Sequence, residues 1–334
     1  MTPPSGLAWT WSGAARGLVL ALPSVVTTLA VDPRTGLALA VGVLPSAALG
    51  VKTSHRDRSV LFGVGVLAGL SLWLGSLVAS LPVLAVVLVL GLSIGVAWLV
   101  AVSGRPMARL ALMLGLPLYG AGLSAEAPST ALAGASLMVA GAVYAMAVSW
   151  AWPGGNAPAD PGGPAPGARG STAPSRRGML VYGAQVGLAG AVAAACGFAM
   201  GVDHPGWGAT AAMLVSRPDP HALRARAWGR GLSVLAGGVV AAAIISMQPA
   251  AGVVAAALAV LLAVGTGLAG SRWYVFPFFS TVVVLSLLGI GAPTTAEHWL
   301  VERVALTLLG VALALGSGWV VPRLAERVNS SLAG

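Results

Sequence analysis

Apolar segments follow one another along almost the whole chain, and this feature constrains the fold more than any other. Of the 334 residues, 57% are hydrophobic and only 8% are charged, whereas about 25% of the residues of an average soluble domain are charged. A chain with so few polar residues cannot cover a water-soluble core. We therefore expect an all-α, polytopic membrane protein, because a helix satisfies its own backbone hydrogen bonds in lipid.

The apolar segments divide into about twelve transmembrane helices in two sets of six. The first set lies within residues 1–152 and the second within residues 178–334, on either side of a segment rich in Pro, Gly and Ala at 153–177. That segment has no apolar periodicity and is predicted to be a disordered linker. The twelve predicted spans are 13–31, 37–51, 60–80, 83–102, 109–123, 129–152, 179–201, 206–215, 231–247, 250–269, 276–290 and 299–321.

The eighth span is much shorter than a membrane helix normally is. The apolar run at 206–215 has ten residues, while a straight transmembrane helix needs about 20. A tight turn at 203–205 precedes it, and a basic segment broken by Pro218 and Pro220 follows it. Interrupted segments at membrane depth survive only where protein or a water-filled cavity covers their free backbone groups. This span is therefore predicted to border a permeation or binding site.

Two spacings indicate that the second set of helices duplicates the first. Residue numbers 32 and 203, both Asp, differ by 171, and so do residue numbers 126 and 297, both Glu. The second span is short and broken by Pro45, like the eighth. Because six is an even number, both sets point the same way, so we expect two parallel six-helix repeats related by a pseudo-twofold axis along the membrane normal. In transporters of that kind, corresponding interrupted segments indicate the substrate site.

Positive charges fall on one side of this topology. Sixteen of the 18 Lys and Arg residues lie in one set of connections, and only Arg34 and Arg303 lie on the other side. The positive-inside rule then places both termini and the linker in the cytoplasm, and the high content of Ala, Gly and Arg suggests a bacterial inner membrane. Topology thus accounts for the net charge of +9, so we expect anionic lipid at the basic connections and no nucleic-acid partner.

Several motifs stand out in the second half of the chain: VDHPGW at 202–207, Arg217-Pro218, the basic helix ending at Arg230, SRWY at 271–274 and Glu302-Arg303. With these motifs, the second half resembles the fusaric acid resistance (FUSC) family. The resemblance covers roughly residues 180–321 and is weak over the first half, where residues 32–36 lack the His and the Trp of the second-half motif. The family implies an integral membrane transporter, associated with efflux of aromatic carboxylic acids and similar to plant aluminium-activated malate channels.

Four residues are candidates for binding a substrate anion: Arg217, Arg272, Trp207 and Tyr274. Arg217 follows the interrupted span, where a cationic vestibule would concentrate carboxylates. Arg272 begins the eleventh span among aromatic residues, an arrangement that suits pairing with the acid group and packing on the ring of an aromatic carboxylate. Simpler interpretations also hold, since Arg residues set topology and aromatic residues form belts at the membrane interface.

Three residues are candidates for proton coupling: Asp203, His204 and Glu302. Histidine titrates near neutral pH, and a nearby carboxylate would hold its proton. The alternative for the turn is structural, with Asp203 capping a short helix and Pro205 shaping the bend. Glu302 shares a helix face with His298, because residues four apart lie on the same side.

No catalytic or cofactor motif favours an enzyme. The chain has no P-loop, no HExxH, no Cys/His zinc spacing and no GxSxG, and its lone cysteine, Cys196, lies in an apolar segment. We expect neither a cofactor nor a metal, and the sequence leaves the oligomeric state open.

The first hypothesis is an exporter of small organic anions, with aromatic carboxylates as substrates and protons as the coupling ion. The alternatives are a passive anion channel of the same architecture and a membrane scaffold that transports nothing.

Overall fold

The computed structural model is all-helical over the residues that it describes, as predicted. These residues are 8–49, 55–103, 120–124, 127–153, 175–269, 271, 275–290 and 293–333. Within them, the α-helices are Trp11–Ala30 (α1), Pro33–Leu49 (α2), His55–Val78 (α3), Pro82–Ser103 (α4), Pro128–Ala151 (α5), Arg176–Ala199 (α6), Gly206–Val215 (α7), Pro220–Ser246 (α8), Ala251–Gly267 (α9), Val275–Gly289 (α10) and Pro293–Ala333 (α11). A short 3₁₀ helix at Gly122–Ser124 precedes α5.

The described helices are those of a multi-pass membrane protein. Six of them are long and apolar enough to cross a membrane, namely α1, α4, α5, α6, α8 and the 297–327 part of α11. The remaining described helices contribute shorter apolar segments of 10–17 residues. Large apolar side chains such as Leu22, Val26 and Val83 are more than half exposed, as expected for surfaces that lipid covers.

The structure confirms one interrupted span and corrects another. Helix α7 begins at Gly206 and ends at Val215, so the eighth span has the predicted bounds. The prediction that the second span is broken at Pro45 is wrong, because α2 continues from Pro33 to Leu49. Membrane helices tolerate such a proline when neighbouring groups satisfy the freed backbone carbonyl. Most of the fifth span and of the 153–177 linker lies outside the described residues.

The chain divides into two compact units, and each unit takes segments from both halves of the sequence. The first unit consists of residues 1–69, 133–165 and 233–301, and the second of residues 70–132, 166–232 and 302–334. In the first unit α1 packs on α2 and α9, and α10 packs on α2. In the second unit α6 packs on α7 and α4. The sequence boundaries 1–152 and 178–334 stay a prediction about duplication along the chain.

Small residues bring the backbones of the packed helices close together in both units. In the first unit, a Cβ atom at Gly17 of α1 would overlap the carbonyl of Leu262 on α9. In the second, Cβ atoms at Gly183 and Gly187 of α6 would press on the backbone and side chains around Ser93 of α4. Membrane helices associate through such stripes of small residues, because apolar surface alone gives no preference for protein over lipid.

Helix α7 is enclosed by protein within the second unit. Eight of its ten residues are buried. Ala209 belongs to one apolar cluster with residues of α4 and α6, and Ala212 belongs to another that includes Ala314 of α11. A Cβ atom at Gly310 would overlap the carbonyl oxygen of Gly208, so α11 lies directly on α7. The short helix therefore has the protein cover that an interrupted membrane segment requires.

Candidate functional site

A sharp turn between α6 and α7 positions the first residues of the site. Gly201 has φ +61°, a backbone conformation that favours glycine, and it lets the chain reverse just after α6. Gly197 lies so close to Pro205 that a Cβ atom would be 2.7 Å from the Pro205 Cα. This close approach holds the start of α7 against the end of α6 and fixes His204 between them.

His204 and Glu302 form a buried pair at the start of α7. The backbone N–H of His204 donates to Glu302 Oε1 at 2.6 Å, and His204 Nδ1 lies 3.3 Å from Glu302 Oε2. His204 is 8% exposed and Glu302 5%. The carboxylate lies at the N-terminus of α7, where the helix dipole favours a negative charge. Two of the three residues predicted for proton coupling, 98 positions apart in sequence, thus come into direct contact.

Trp207 packs on this pair from the first turn of α7. Its ring stacks on the His204 ring with centroids 3.9 Å apart and planes inclined by 12°. The guanidinium of Arg303 lies over the Trp207 ring, 4.6 Å from its centroid. The indole is 2% exposed, so His204 and Arg303 already contact the ring that the sequence predicted for a substrate. Substrate stacking on Trp207 stays a prediction and would require these contacts to rearrange.

The third coupling candidate, Asp203, is exposed and adjoins His204 at the turn. A solvent-exposed carboxylate next to a buried imidazole–carboxylate pair is in a position to exchange protons with solution. Its role in coupling stays a prediction.

Arg230 is the residue that the predicted spans misplace. It was predicted just before the ninth span at 231–247, yet it lies within α8 and is buried in the second unit. Arg303 lies in the twelfth span as predicted and is buried in the same unit. The helices that carry the two arginines contact each other through an apolar cluster that includes Leu223, Ala227 and Ala314. The connection prediction fails because α8 begins at Pro220, not Gly231. Arg230 is therefore about 15 Å along the helix, at 1.5 Å per residue.

A sequence signal for the true start of α8 was present. The side chain of Asp219 accepts a hydrogen bond from the Ala222 N–H at 2.7 Å, which makes Asp219 an N-cap. Proline is frequent at the first position of a helix, directly after such a cap. The Asp219-Pro220 dipeptide therefore indicates a helix start as well as a break in the segment before it.

Arg217 lies at the other end of α7. Its guanidinium donates to the carbonyl of Ser216, which also accepts from the Tyr182 hydroxyl at 3.0 Å. Gln185 Nε2 donates to the carbonyl of Arg217 at 3.5 Å. Burial lowers the pKa of Arg217, and the neighbouring Tyr182 opposes that shift. An arginine stays charged at neutral pH, so Arg217 places a half-buried positive charge at the negative end of the α7 dipole.

Two of the predicted substrate-binding residues lie outside the described residues. Arg272 and Tyr274 precede α10 in a segment that the structure does not describe. Their assignment to substrate binding stays a prediction.

Comparison with protein families covers the part of the chain that contains this site. Residues 191–316 match the model of the fusaric acid resistance protein-like family. This region belongs to that family. The matched range includes His204, Trp207, Arg217, Glu302 and Arg303, and it runs from α6 into α11.

The other two comparisons gave no match, either to curated proteins or to solved structures. The family assignment therefore depends on the matched region, which leaves α1–α5 outside it. Within the fusaric acid resistance protein-like region, a buried carboxylate–imidazole pair can share a proton, and buried arginines can attract an anion.

Proposed function

We propose that this protein is a secondary transporter that exports small organic anions, chiefly aromatic carboxylic acids, across a bacterial inner membrane. Membership of the fusaric acid resistance protein-like family and the multi-pass helical fold support a transport role. The observation that carries the proposal is the buried contact between His204 and Glu302 at the start of the interrupted helix. Ionisable residues are rare inside membrane proteins and are associated with substrate or proton pathways.

The charge balance around α7 supports proton coupling. The Glu302 carboxylate accepts two contacts from His204 and lies next to Arg303 in sequence. Protonation of the pair removes negative charge beside the buried Arg303 guanidinium, and this raises the affinity of the region around Arg303 for an anion. Deprotonation lowers that affinity. Two ligands that change each other's affinity in this way are coupled thermodynamically, with Asp203 exchanging protons with solution.

Arg217 acts in this proposal as an electrostatic guide at the far end of α7. Its half-buried charge lies where the helix dipole is negative, so an anion that approaches meets a fixed cation. Arg272 and Tyr274 would contact the acid group and the ring of the substrate. Both termini and the 153–177 linker lie in the cytoplasm, and anionic lipid covers the basic connections.

The proposed architecture is a pair of parallel six-helix repeats, and the packing inside each unit supports it. In the first unit, the first helix of the N-terminal set packs on its own second helix and on α9, the fourth helix of the other set. In the second unit, α6 packs on α7 and on α4, which hold the corresponding positions. The fourth helix of each set thus packs on the first helix of the other set, as expected for two repeats related by a twofold axis.

Export is tested by measuring the accumulation of labelled aromatic carboxylic acids in cells with and without the protein. We expect lower accumulation in cells that contain the protein, and a return to the empty-cell level with Glu302→Gln. Arg224→Gln is the matched control, since Arg224 is an exposed residue on α8. Equal accumulation with and without the protein, across the panel, would contradict an exporter.

Coupling is tested in proteoliposomes with an imposed pH gradient. A coupled transporter drives the acid against its own gradient, and its reversal potential shifts with pH. A passive channel of the same architecture would show a reversal potential set by the anion gradient alone. That second result would retain anion transport and remove the coupling role of Asp203, His204 and Glu302.

A further inference from the structure

Two arginine side chains are buried in the second unit with part of their hydrogen-bonding capacity unused. Arg230 of α8 is 4% exposed and Arg303 of α11 is 7% exposed. Among the described residues, the Nε atom of each has no hydrogen-bond partner. The same holds for the hydroxyl of Thr307, which lies one helical turn after Arg303. Buried polar groups are nearly always hydrogen-bonded, so this group of donors points to an acceptor that the described residues do not supply.

The buried charges around these donors sum to an excess of one positive charge. The two arginines lie on helices that pack on each other, since Ala227 of α8 and Ala314 of α11 belong to one apolar cluster. Asp203 has an oxygen within 4.8 Å of Glu302, but its side chain is exposed. Glu302 is adjacent to Arg303 in sequence, but its two oxygens contact His204. Two guanidinium groups and one carboxylate leave a single buried positive charge, which is costly without a counter-charge. One monovalent anion would neutralise the group.

Trp207 offsets part of this cost and shapes the site. The cation–π contact stabilises the Arg303 guanidinium, and the indole covers Arg303 on the side of α7. The planar fork of a guanidinium matches a carboxylate with two parallel hydrogen bonds. A carboxylate therefore fits the two arginines better than a spherical anion of the same charge.

We propose that Arg230, Arg303 and Thr307 form a binding site for one monovalent carboxylate, the anion that the protein transports. The inference rests on the proposed function and deepens it, because it assigns the central substrate contacts to residues other than Arg217 and Arg272. The two guanidinium groups pair with the acid group, and the Thr307 hydroxyl donates to it. Glu302 lies beside the site, so the protonation state of the His204 pair sets the affinity for the anion.

Binding is measured directly with the purified full-length protein in detergent, by calorimetric titration with benzoate in chloride-free buffer. We expect one site per chain. Arg230→Gln and Arg303→Gln should each raise the dissociation constant at least tenfold, and Thr307→Val about threefold. Arg224→Gln should leave it unchanged, because that exposed arginine of α8 lies outside the site. A parallel titration with chloride should show binding at least tenfold weaker than benzoate.

One further variant, together with Thr307→Val, keeps the result interpretable if the glutamine variants do not fold. Arg303→Lys keeps the charge and loses the fork, so it should weaken benzoate binding but retain more of it than Arg303→Gln. Thr307→Val preserves the shape of the side chain and removes only the hydroxyl. Unchanged benzoate affinity in the folded variants, or binding of chloride without benzoate, would overturn the site.

This experiment separates the site from the transport activity. Benzoate binding that depends on Arg230 and Arg303, in a protein that fails the accumulation test, would support the binding site and contradict the export function. Export with wild-type affinity in the site variants would support the export function and contradict the binding site.

Discussion

The corner between α1 and α2 and the corner between α6 and α7 start with the same dipeptide but stabilise their second helices differently. In the first corner Asp32 follows Val31, and its Oδ1 accepts from the N–H groups of Arg34 at 2.8 Å and Thr35 at 3.0 Å. Asp32 is thus a local N-cap in contact with solvent. Such a cap stabilises the turn and needs nothing from the rest of the chain.

In the second corner the corresponding negative charge comes from a distant helix. Asp203 follows Val202, but the buried acceptor at the start of α7 is Glu302. At the spacing of 171 residues, Glu302 and Arg303 correspond to Ala131 and Leu132 in the first half. A local cap makes a stable turn, whereas a buried charge from another helix makes a group whose energy depends on its neighbours. This difference makes the second corner the candidate for chemistry.

The largest expected effect comes from removing the two acidic groups in turn. Glu302→Ala should abolish export driven by a pH gradient. It should also lower the free energy of unfolding by about 1–3 kcal/mol, because the buried N–H of His204 loses its acceptor. Asp32→Ala removes only a cap, which costs about 1 kcal/mol, and should leave export intact. Export and thermal stability in detergent, measured on both variants, check this.

Equal export in the two variants would contradict a special role of the second corner in transport, because both corners would then be structural. Glu302→Gln serves as the control for packing, because it keeps the shape of the side chain and one acceptor oxygen. A Gln variant that is stable but inactive would separate the charge of Glu302 from its role as an acceptor.

The next effect concerns the contact between α7 and α11. Gly310→Ala places a Cβ atom against the carbonyl of Gly208, and overpacking of this kind costs about 1–3 kcal/mol. Gly316→Ala is the matched control on the same helix, since a Cβ atom there meets nothing within 4 Å. Replacement of an exposed helical glycine by alanine stabilises by up to about 1 kcal/mol. Thermal unfolding of the two variants should therefore shift in opposite directions.

The first unit offers a test of whether α2 and α7, the second helices of the two sets, pack in the same way. A Cβ atom at Gly141 of α5 would be 2.8 Å from the carbonyl of Leu39 on α2, as Gly310 of α11 approaches α7. Gly141→Ala should then destabilise the protein by a similar amount. A neutral Gly141→Ala beside a damaging Gly310→Ala would mean that only the second unit depends on this close approach.

A smaller effect is expected at the far end of α7. Arg217→Gln removes a half-buried charge and should lower export about tenfold, which corresponds to about 1.4 kcal/mol. Arg224→Gln removes an exposed charge from α8 and should change export little. Initial rates of labelled substrate efflux in proteoliposomes measure both. Equal rates in the two variants would assign Arg217 to topology and lipid contact alone.

Much of the fold could be predicted from local patterns, while the centre of the site could not. The bounds of α7 follow from a ten-residue apolar run between a turn and a proline, and the charge-poor composition fixes the helical membrane class. The contact of His204 with Glu302 joins residues in different helices, and no periodicity in a single sequence specifies which helix faces meet. Arg230 was misplaced for a local reason, because proline ends some helices and begins others.

The smallest effect is the titration of the first corner, and it tests whether that corner is as local as its geometry indicates. The Thr35 hydroxyl and the Thr35 N–H donate to Asp32, and these hydrogen bonds lower the pKa of the carboxyl below its ordinary value. The stabilisation is therefore present above that ordinary pKa and is lost as pH falls through the folded-state pKa. Thr35→Val should raise the Asp32 pKa towards its ordinary value, while Thr35→Ser should preserve the shift. Carboxyl carbon NMR of the protein in micelles follows this titration, and an Asp32 pKa that responds to Glu302→Gln but not to Thr35→Val would show that the two corners are not independent.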